Sequence, residues 1–220
     1  MHKTEEKINK KTKKKSRKSP ISKQQIYRNL LSVAVANKVK FKYVVNDVWF
    51  TSAENMCFVK HELHKDFVMP LKSNRKVALS EQQLASGEFV SIEKLELGEG
   101  VLVWLKDVDF PLRLVRQVFK NEDGSTGVLY LVSSNTELTY EQITTIYKRR
   151  WKVEEYHKSL KNNASLAKSP TRTVRTQSNH LFDSLCAFIR LESLLTKELQ
   201  PLRNMREKVV FQYSDQKKRE

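Results

Sequence analysis

The sequence predicts a mixed α/β (α+β) protein, and three stretches carry that expectation. Between residues 22 and 71, helical and strand signals alternate in short order. Residues 88–134 change texture to alternating and compact apolar runs broken by turn residues, the mark of an antiparallel sheet. From Thr139 onward the periodicity is helical.

The elements follow in order. Residues 1–20 are lysine-rich, almost without apolar residues and closed by Ser19-Pro20, which predicts a disordered basic arm. Ser22 with Gln25 three residues on forms a capping box, opening a helix to about Asn37 with Ile26, Leu30, Leu31 and Val35 on its buried side. FKYVV, Phe41 to Val45, is β-branched and aromatic and reads as a strand that delivers the chain to Asn46-Asp47. A helix from Ser52 to about His64 and a strand at Phe67 to Leu71 complete a rhythm that implies parallel pairing with a right-handed crossover. Asp47 thus falls at the carboxyl end of a buried strand, where open α/β sheets gather functional groups. By position alone it serves equally as a turn former or helix cap.

Further on, LRLVRQVF and GVLYLV flank a turn with Asp123-Gly124, a strong hairpin cue. Trp104 suits a sheet core or a stacking surface, and Asp107 and Asp109 read as loop residues. A basic, hydroxyl-rich connection spans Ala164 to Gln177. An apolar helix then runs to about Lys197 with Leu181, Leu185, Phe188, Ile189 and Leu195 inward, and His180 caps or packs near its start. From Asn204 the text is polar and is expected to fray.

Charge narrows the function classes. The chain holds 41 Lys+Arg against 25 Asp+Glu, a formal net charge of +16, and so large a surplus attracts polyanions, nucleic acid first, through counterion release. No apolar run approaches the length of a spanning helix, and the amino terminus lacks the apolar core of a signal peptide. Two cysteines, Cys57 and Cys186, lie far apart in helical contexts and are expected as reduced core thiols. The expected compartment is the cytoplasm.

The stretch Thr139 to Asn162, TYEQITTIYKRRWKVEEYHKSLKN, carries the chemistry. Thr139 and Gln142 form a capping box, and no Pro or Gly follows, so one uninterrupted helix is expected. Ile146, Val153, Tyr156 and Leu160 fall on its core-facing stripe. At about 100° per residue, Tyr147, Arg150, Glu154 and Lys161 gather within about 60° of one another. The pattern fits a solvated face with ordinary ion pairs such as Glu154 to Lys158, and fits equally a metal-holding carboxylate flanked by phosphate-gripping groups.

Tyr147-x-x-Arg150-x-x-x-Glu154, then six residues, then Lys161, resembles the signature of insertion-sequence-four family transposases, enzymes of the DDE type with two aspartates and a glutamate. YVVNDVWFTSAENM resembles the segment bearing that family's second aspartate, and PLKSNRKVALS its continuation. The resemblance implies a partial ribonuclease-H-like core over residues 21–72 and 139–200, interrupted by an antiparallel β insertion at 73–138, with a polar tail at 201–220. It implies Asp47 and Glu154 as metal ligands and catalytic residues, converging in space. Tyr147, Arg150 and Lys161 would hold phosphates, with Lys72, Asn74 and Arg75 as further DNA contacts.

The implied cofactor is Mg²⁺ or Mn²⁺, two ions about 3.5–4 Å apart acting in phosphodiester hydrolysis and strand transfer. The implied partners are transposon-end DNA and a second transposase copy, in a synaptic homodimer or a mixed dimer with an intact enzyme. The implied setting is a bacterial nucleoid. The family's first aspartate precedes the second on an earlier strand, yet no aspartate precedes Asp47 here; the acids upstream are Glu5 and Glu6. The sequence therefore reads as a carboxyl-terminal piece with little or no strand-cleaving activity, or as a DNA-binding remnant that inhibits an intact transposase.

Overall fold

The computed structural model describes the backbone of residues 5–8, 15–120, 123–169 and 173–216, and the side chains among them from residue 19 to 197. The chain divides into two compact units, Met1–Arg150 and Trp151–Glu220.

In the first unit, β1 (Glu5–Ile8) pairs antiparallel with β2 (Lys15–Lys18), where a disordered arm was expected. The register sets Glu5 opposite Lys18 and Ile8 opposite Lys15. Helix α1 (Lys23–Ala36) starts where its capping signal puts it, with the Ser22 hydroxyl accepting from the Gln25 N–H. Its inward side differs from the expected one. Tyr27 and Leu31 pack on the core, whereas Leu30 is 64% exposed and Val35 also faces solvent. A single helix lying over one sheet face buries only a narrow stripe, and Tyr27 takes its centre.

Strand β3 (Tyr43–Val45) leads through Asn46 and Asp47 into a 3₁₀ turn at Val48–Phe50. Helix α2 (Ala53–Cys57), capped by Ser52, passes directly into a π-helical turn over Phe58–Glu62. β4 (Asp66–Leu71) then pairs parallel with β3, as the alternating pattern implied. After β4 come β5 (Lys76–Val77), α3 (Glu81–Ser86), β6 (Val90–Ser91) and β7 (Val101–Val103). FVSIEKLEL, read as alternating strand, holds only the two-residue β6, paired with β5, followed by a 3₁₀ turn at Ile92–Lys94.

The hairpin of β8 (Leu112–Lys120) and β9 (Thr126–Ser133) turns at Asp123-Gly124 as expected. Gly124 takes φ +81°, and the Asp123 carboxylate accepts from the Ser125 N–H and hydroxyl. β9 also pairs antiparallel with β4, so one five-stranded sheet results, ordered β3-β4-β9-β8-β7. The fold is therefore mixed α/β, mostly antiparallel with one parallel pair, consistent with a ribonuclease-H-like α+β core. Among the described residues no strand pairs with the outer side of β3.

Strand alternation divides the core between two faces. Phe67, Met69, Leu112, Leu114 and Val132 join Met56 and Val59 of the α2 region on one face. Val68, Val115 and Leu131 meet Leu138 and Ile143 on the other. β4 is buried from Phe67 to Leu71, as a strand covered on both faces should be. Each fully buried side chain of this kind contributes on the order of 1.5–3 kcal/mol.

Helix α4 (Tyr140–Lys148) carries the capping box in full, with Thr139 Oγ1 accepting from the Gln142 N–H and Gln142 Oε1 from the Thr139 N–H. It does not continue through the signature stretch: it ends at Lys148, and α5 (Trp151–Asn163) begins after a turn at Arg149-Arg150. The Arg149 and Arg150 N–H groups donate to Ile146 and Tyr147, bonds that tighten the last turn. Cations crowd this point. Lys148, Arg149 and Arg150 favour a helix carboxyl end, and Lys148 would stand one turn from Lys152 in a continuous helix.

In the second unit, α5, a 3₁₀ turn at Leu166–Lys168 and α6 (Val174–Gln216) pack together. Leu160, Ala164 and Ser184 are buried there, and Tyr156 meets Phe188 edge to face at 5.0 Å. Val153, expected inward, is 50% exposed. Leu181, Ile189 and Leu195 also face outward, because α5 covers only the stripe around Ser184, Leu185 and Phe188. His180 packs near the helix start as expected, its Nε2 3.2 Å from the Ser165 carbonyl. α6 continues through Pro201 to Gln216, over most of the stretch read as a frayed tail. No helix among the described residues is long and apolar enough to cross a membrane.

Candidate functional site

Asp47 sits at the carboxyl end of β3, exposed, as the residue before a 3₁₀ turn, and its side chain makes no capping hydrogen bond. The turn-former alternative is met only by its backbone, whose carbonyl accepts from Phe50. What fixes its backbone is its buried neighbour. Asn46 is 6% exposed; its amide donates to the Tyr27 hydroxyl at 3.2 Å and its carbonyl oxygen accepts from Thr51 Oγ1 at 3.3 Å. Tyr27 stacks on Phe50 with ring centroids 4.8 Å apart. Burial pushes the Tyr27 phenol up to about 12, against the opposing effect of the Asn46 hydrogen bond.

A second buried amide completes the clamp. Asn55 accepts from Arg28 and donates to Gln24 and to the Phe50 carbonyl, while Gln24 donates to the Trp49 carbonyl. Helix α1 thus grips the segment that bears Asp47 with three side chains. Neither amide is assigned a role by the sequence; the signal available was that Asn46 and Asn55 bracket Asp47 within NDVWFTSAEN.

Tyr147 lies within electrostatic reach of Asp47, and Arg150 lies beside Tyr147. The Arg150 guanidinium stands 5.7 Å from the Tyr147 ring centroid. The Tyr147 hydroxyl is raised above the ordinary phenol value, first by burial and then by the negative charge of Asp47; Arg150 opposes this through its charge and a hydrogen bond. Tyr147 packs on the sheet with Tyr43, Val45 and Ile146. Asp47, Tyr147 and Arg150 all belong to the first unit.

Lys72, Asn74 and Arg75 follow β4 and line a cleft of about 190 Å³ with Val48, Trp49 and Thr51, at the carboxyl ends of the parallel pair. The Lys72 ammonium lies 5.8 Å from the Trp49 ring centroid, and Trp49 is 76% exposed. Glu154 and Lys161 belong to the second unit, both exposed on α5 and seven residues apart, hence on one side of that helix. Trp104 is half-buried, with its backbone bridged to Ala78.

Asp109, read as a loop residue, pairs with His61 at 2.8 Å. Among the described residues, Cys57, His61 and Asp109 form the group of three or more ligand-type side chains whose donor atoms lie within 4.8 Å of one another. Cys57 is half-buried and Cys186 exposed, both free thiols, so the expected core position is met in part by the first and not by the second. Cys186 lies on the side of α6 that α5 leaves open.

Comparison with curated proteins finds no match. A protein-family model described as Transposase DDE domain matches residues 3–189, most of the chain. Such domains act on DNA and generally depend on divalent metal ions. The match spans well over half of the chain, and the chain belongs to the Transposase DDE domain family.

Proposed function

We propose that this chain handles insertion-sequence DNA ends as the later part of a DDE catalytic domain of the insertion-sequence-four type, with Asp47 and Glu154 as its carboxylates. The observation that carries this reading is the family match over residues 3–189, supported by Arg150 beside Tyr147 and by the charge of Asp47 acting on that phenol. Arg150 would hold a phosphate bidentately, and Tyr147 would donate to a second phosphate oxygen. Lys161 extends the phosphate track. Lys72, Asn74 and Arg75 line the cleft beside Asp47, where a DNA backbone would pass.

The exposed Asp47 carboxylate is a hard oxygen donor of the kind Mg²⁺ and Mn²⁺ take, and Glu154 is another. When bound, such ions supply activation of an attacking oxygen and stabilisation of the leaving one. The protein's own residues position the phosphodiester. On this reading Asp47 and Glu154 are the carboxylates that this chain contributes, and the chain on its own binds DNA while cleaving it weakly or not at all. Under this reading residues 21–72 and 139–200 are the catalytic core and 73–138 the insertion. DNA is held by a synaptic dimer or a mixed dimer with an intact transposase.

Two measurements on the purified chain test this. Duplex DNA binding should weaken several-fold in Arg150→Ala and lose about one unit of its salt slope, and should hold or tighten in Glu154→Gln. Plasmid nicking with Mg²⁺ should be slight. Strong nicking abolished by Asp47→Asn would overturn the incomplete-site reading, and DNA binding indifferent to Arg150 and Tyr147 would sink the assignment itself. The rival reading, a purely DNA-binding remnant, predicts no residual nicking for Glu154→Gln to remove.

A further inference from the structure

Away from Asp47, the first unit gathers a thiol, an imidazole and a carboxylate on one exposed spot. Cys57 ends the α-helical part of α2, and His61 follows four residues later inside the π-helical turn. That turn is the single π-helical stretch among the described residues, and such insertions recur where side chains must be aimed at a site. Asp109 arrives from the connection between β7 and β8, far along the chain. Its Oδ1 lies 2.8 Å from His61 Nε2, and the three ligand atoms all lie within 4.8 Å of one another. The Cys57 Sγ also reaches the Asp107 carbonyl at 3.6 Å.

The base beneath the cluster is packed. Val59, Leu105 and Val108 are buried, and Phe110 meets His61 edge to face at 5.4 Å and Phe67 at 6.2 Å. His61 and Asp109 are open to solvent on the other side, so a metal ion can enter.

We propose that Cys57, His61 and Asp109 form a Zn²⁺ site with one position left to solvent. A thiolate, an imidazole and a carboxylate are the donor types Zn²⁺ takes, and three protein ligands with a solvent molecule complete a tetrahedron. Bond lengths of about 2.0–2.3 Å place tetrahedral ligand atoms about 3.3–3.7 Å apart. The His61–Asp109 hydrogen bond therefore opens by roughly half an ångström when the ion replaces the shared proton. Both side chains are exposed and can make that move. The sulfur ligand sets this site apart from the oxygen chemistry suited to Mg²⁺. Its effect is to fasten the α2 turn to the β7–β8 connection, independently of the DNA-handling role.

The test uses the reduced full chain with Zn²⁺ and, as a spectroscopic stand-in, Co²⁺. One equivalent should bind, the Co²⁺ form should show a thiolate-to-metal charge-transfer band, and thermal unfolding should shift upward with Zn²⁺. Cys57→Ser should abolish the band. His61→Asn and Asp109→Asn, both at exposed positions, should weaken binding roughly tenfold or more, whereas Cys186→Ser and excess Mg²⁺ should change nothing. Binding that survives all three ligand substitutions, a band that depends on Cys186, or the absence of stoichiometric Zn²⁺ would each overturn the site. Should Cys57→Ser fold poorly, Asp109→Asn alone decides, because it alters only an exposed carboxylate.

Discussion

The phenol of Tyr147 on α4 feels the negative charge of Asp47 at the end of β3. Both residues belong to the first unit, where α4 packs on the sheet that β3 belongs to. Asp47→Asn should lower the Tyr147 pKa by removing a charge that, after burial, raises it. Arg150→Ala has the opposite effect, because it removes both a stabilising charge and a hydrogen bond to the phenolate. Tyrosine ring resonances followed by NMR through alkaline pH would report both signs. Equal titration in all three proteins would mean that these groups are apart.

The clamp behind Asp47 should be costly to break. Asn46→Ala leaves the buried Tyr27 hydroxyl and Thr51 without their partner, a loss of about 1–3 kcal/mol in urea unfolding. Tyr27→Phe leaves the Asn46 amide unpaired and should cost a similar amount.

Tyr27 also sets an alkaline limit. Its value of about 12 in the fold exceeds the ordinary 10.0, so the folded chain holds that proton more tightly than the unfolded one. The sign follows directly: this contribution is complete below about pH 10 and is lost as pH rises towards 12. Stability measured against pH should fall in that window, and less steeply in Tyr27→Phe.

Asp66 works at the acid end. Partial burial pushes its carboxyl up, but hydrogen bonds from Lys60 and Ser134, with the charges of Lys60 and Lys42, together outweigh this and hold it below the usual range. A lowered folded value means stability that is present at neutral pH and lost as pH falls through it. Asp66→Asn should flatten that part of the acid unfolding curve.

Gly100 should resist substitution. It takes φ +116°, and a Cβ there would stand 2.8 Å from Val115 Cγ1 and 3.2 Å from the Leu114 carbonyl. Gly100→Ala should destabilise by more than about 1 kcal/mol, read as a lower thermal midpoint.

Local signals in the sequence proved reliable where their cause was local. The Ser22 and Thr139 caps, the parallel pair at Tyr43–Val45 and Asp66–Leu71, and the Asp123-Gly124 turn each depend on a few neighbouring residues. The pairing of β9 with β4 depends on residues distant in the chain, and no pattern within either strand announces it. The helix break at Arg149-Arg150 escaped notice because neither Pro nor Gly marks it; crowded cations do. Tyr147, Arg150 and Asp47 stand out in the sequence only through a family resemblance, whereas the hydrogen bond of Asn46 with Tyr27 and the meeting of Cys57 with Asp109 join residues distant in the chain and needed coordinates.

Strand β3 stands outermost in its sheet, and its last residues lead straight to Asp47. Any strand laid parallel along that open flank would end at the level of the aspartate, delivering its own final side chains to the same spot. Extending the sheet and adding side chains beside Asp47 would then be a single event, so that assembly at this edge would remake the surroundings of the aspartate.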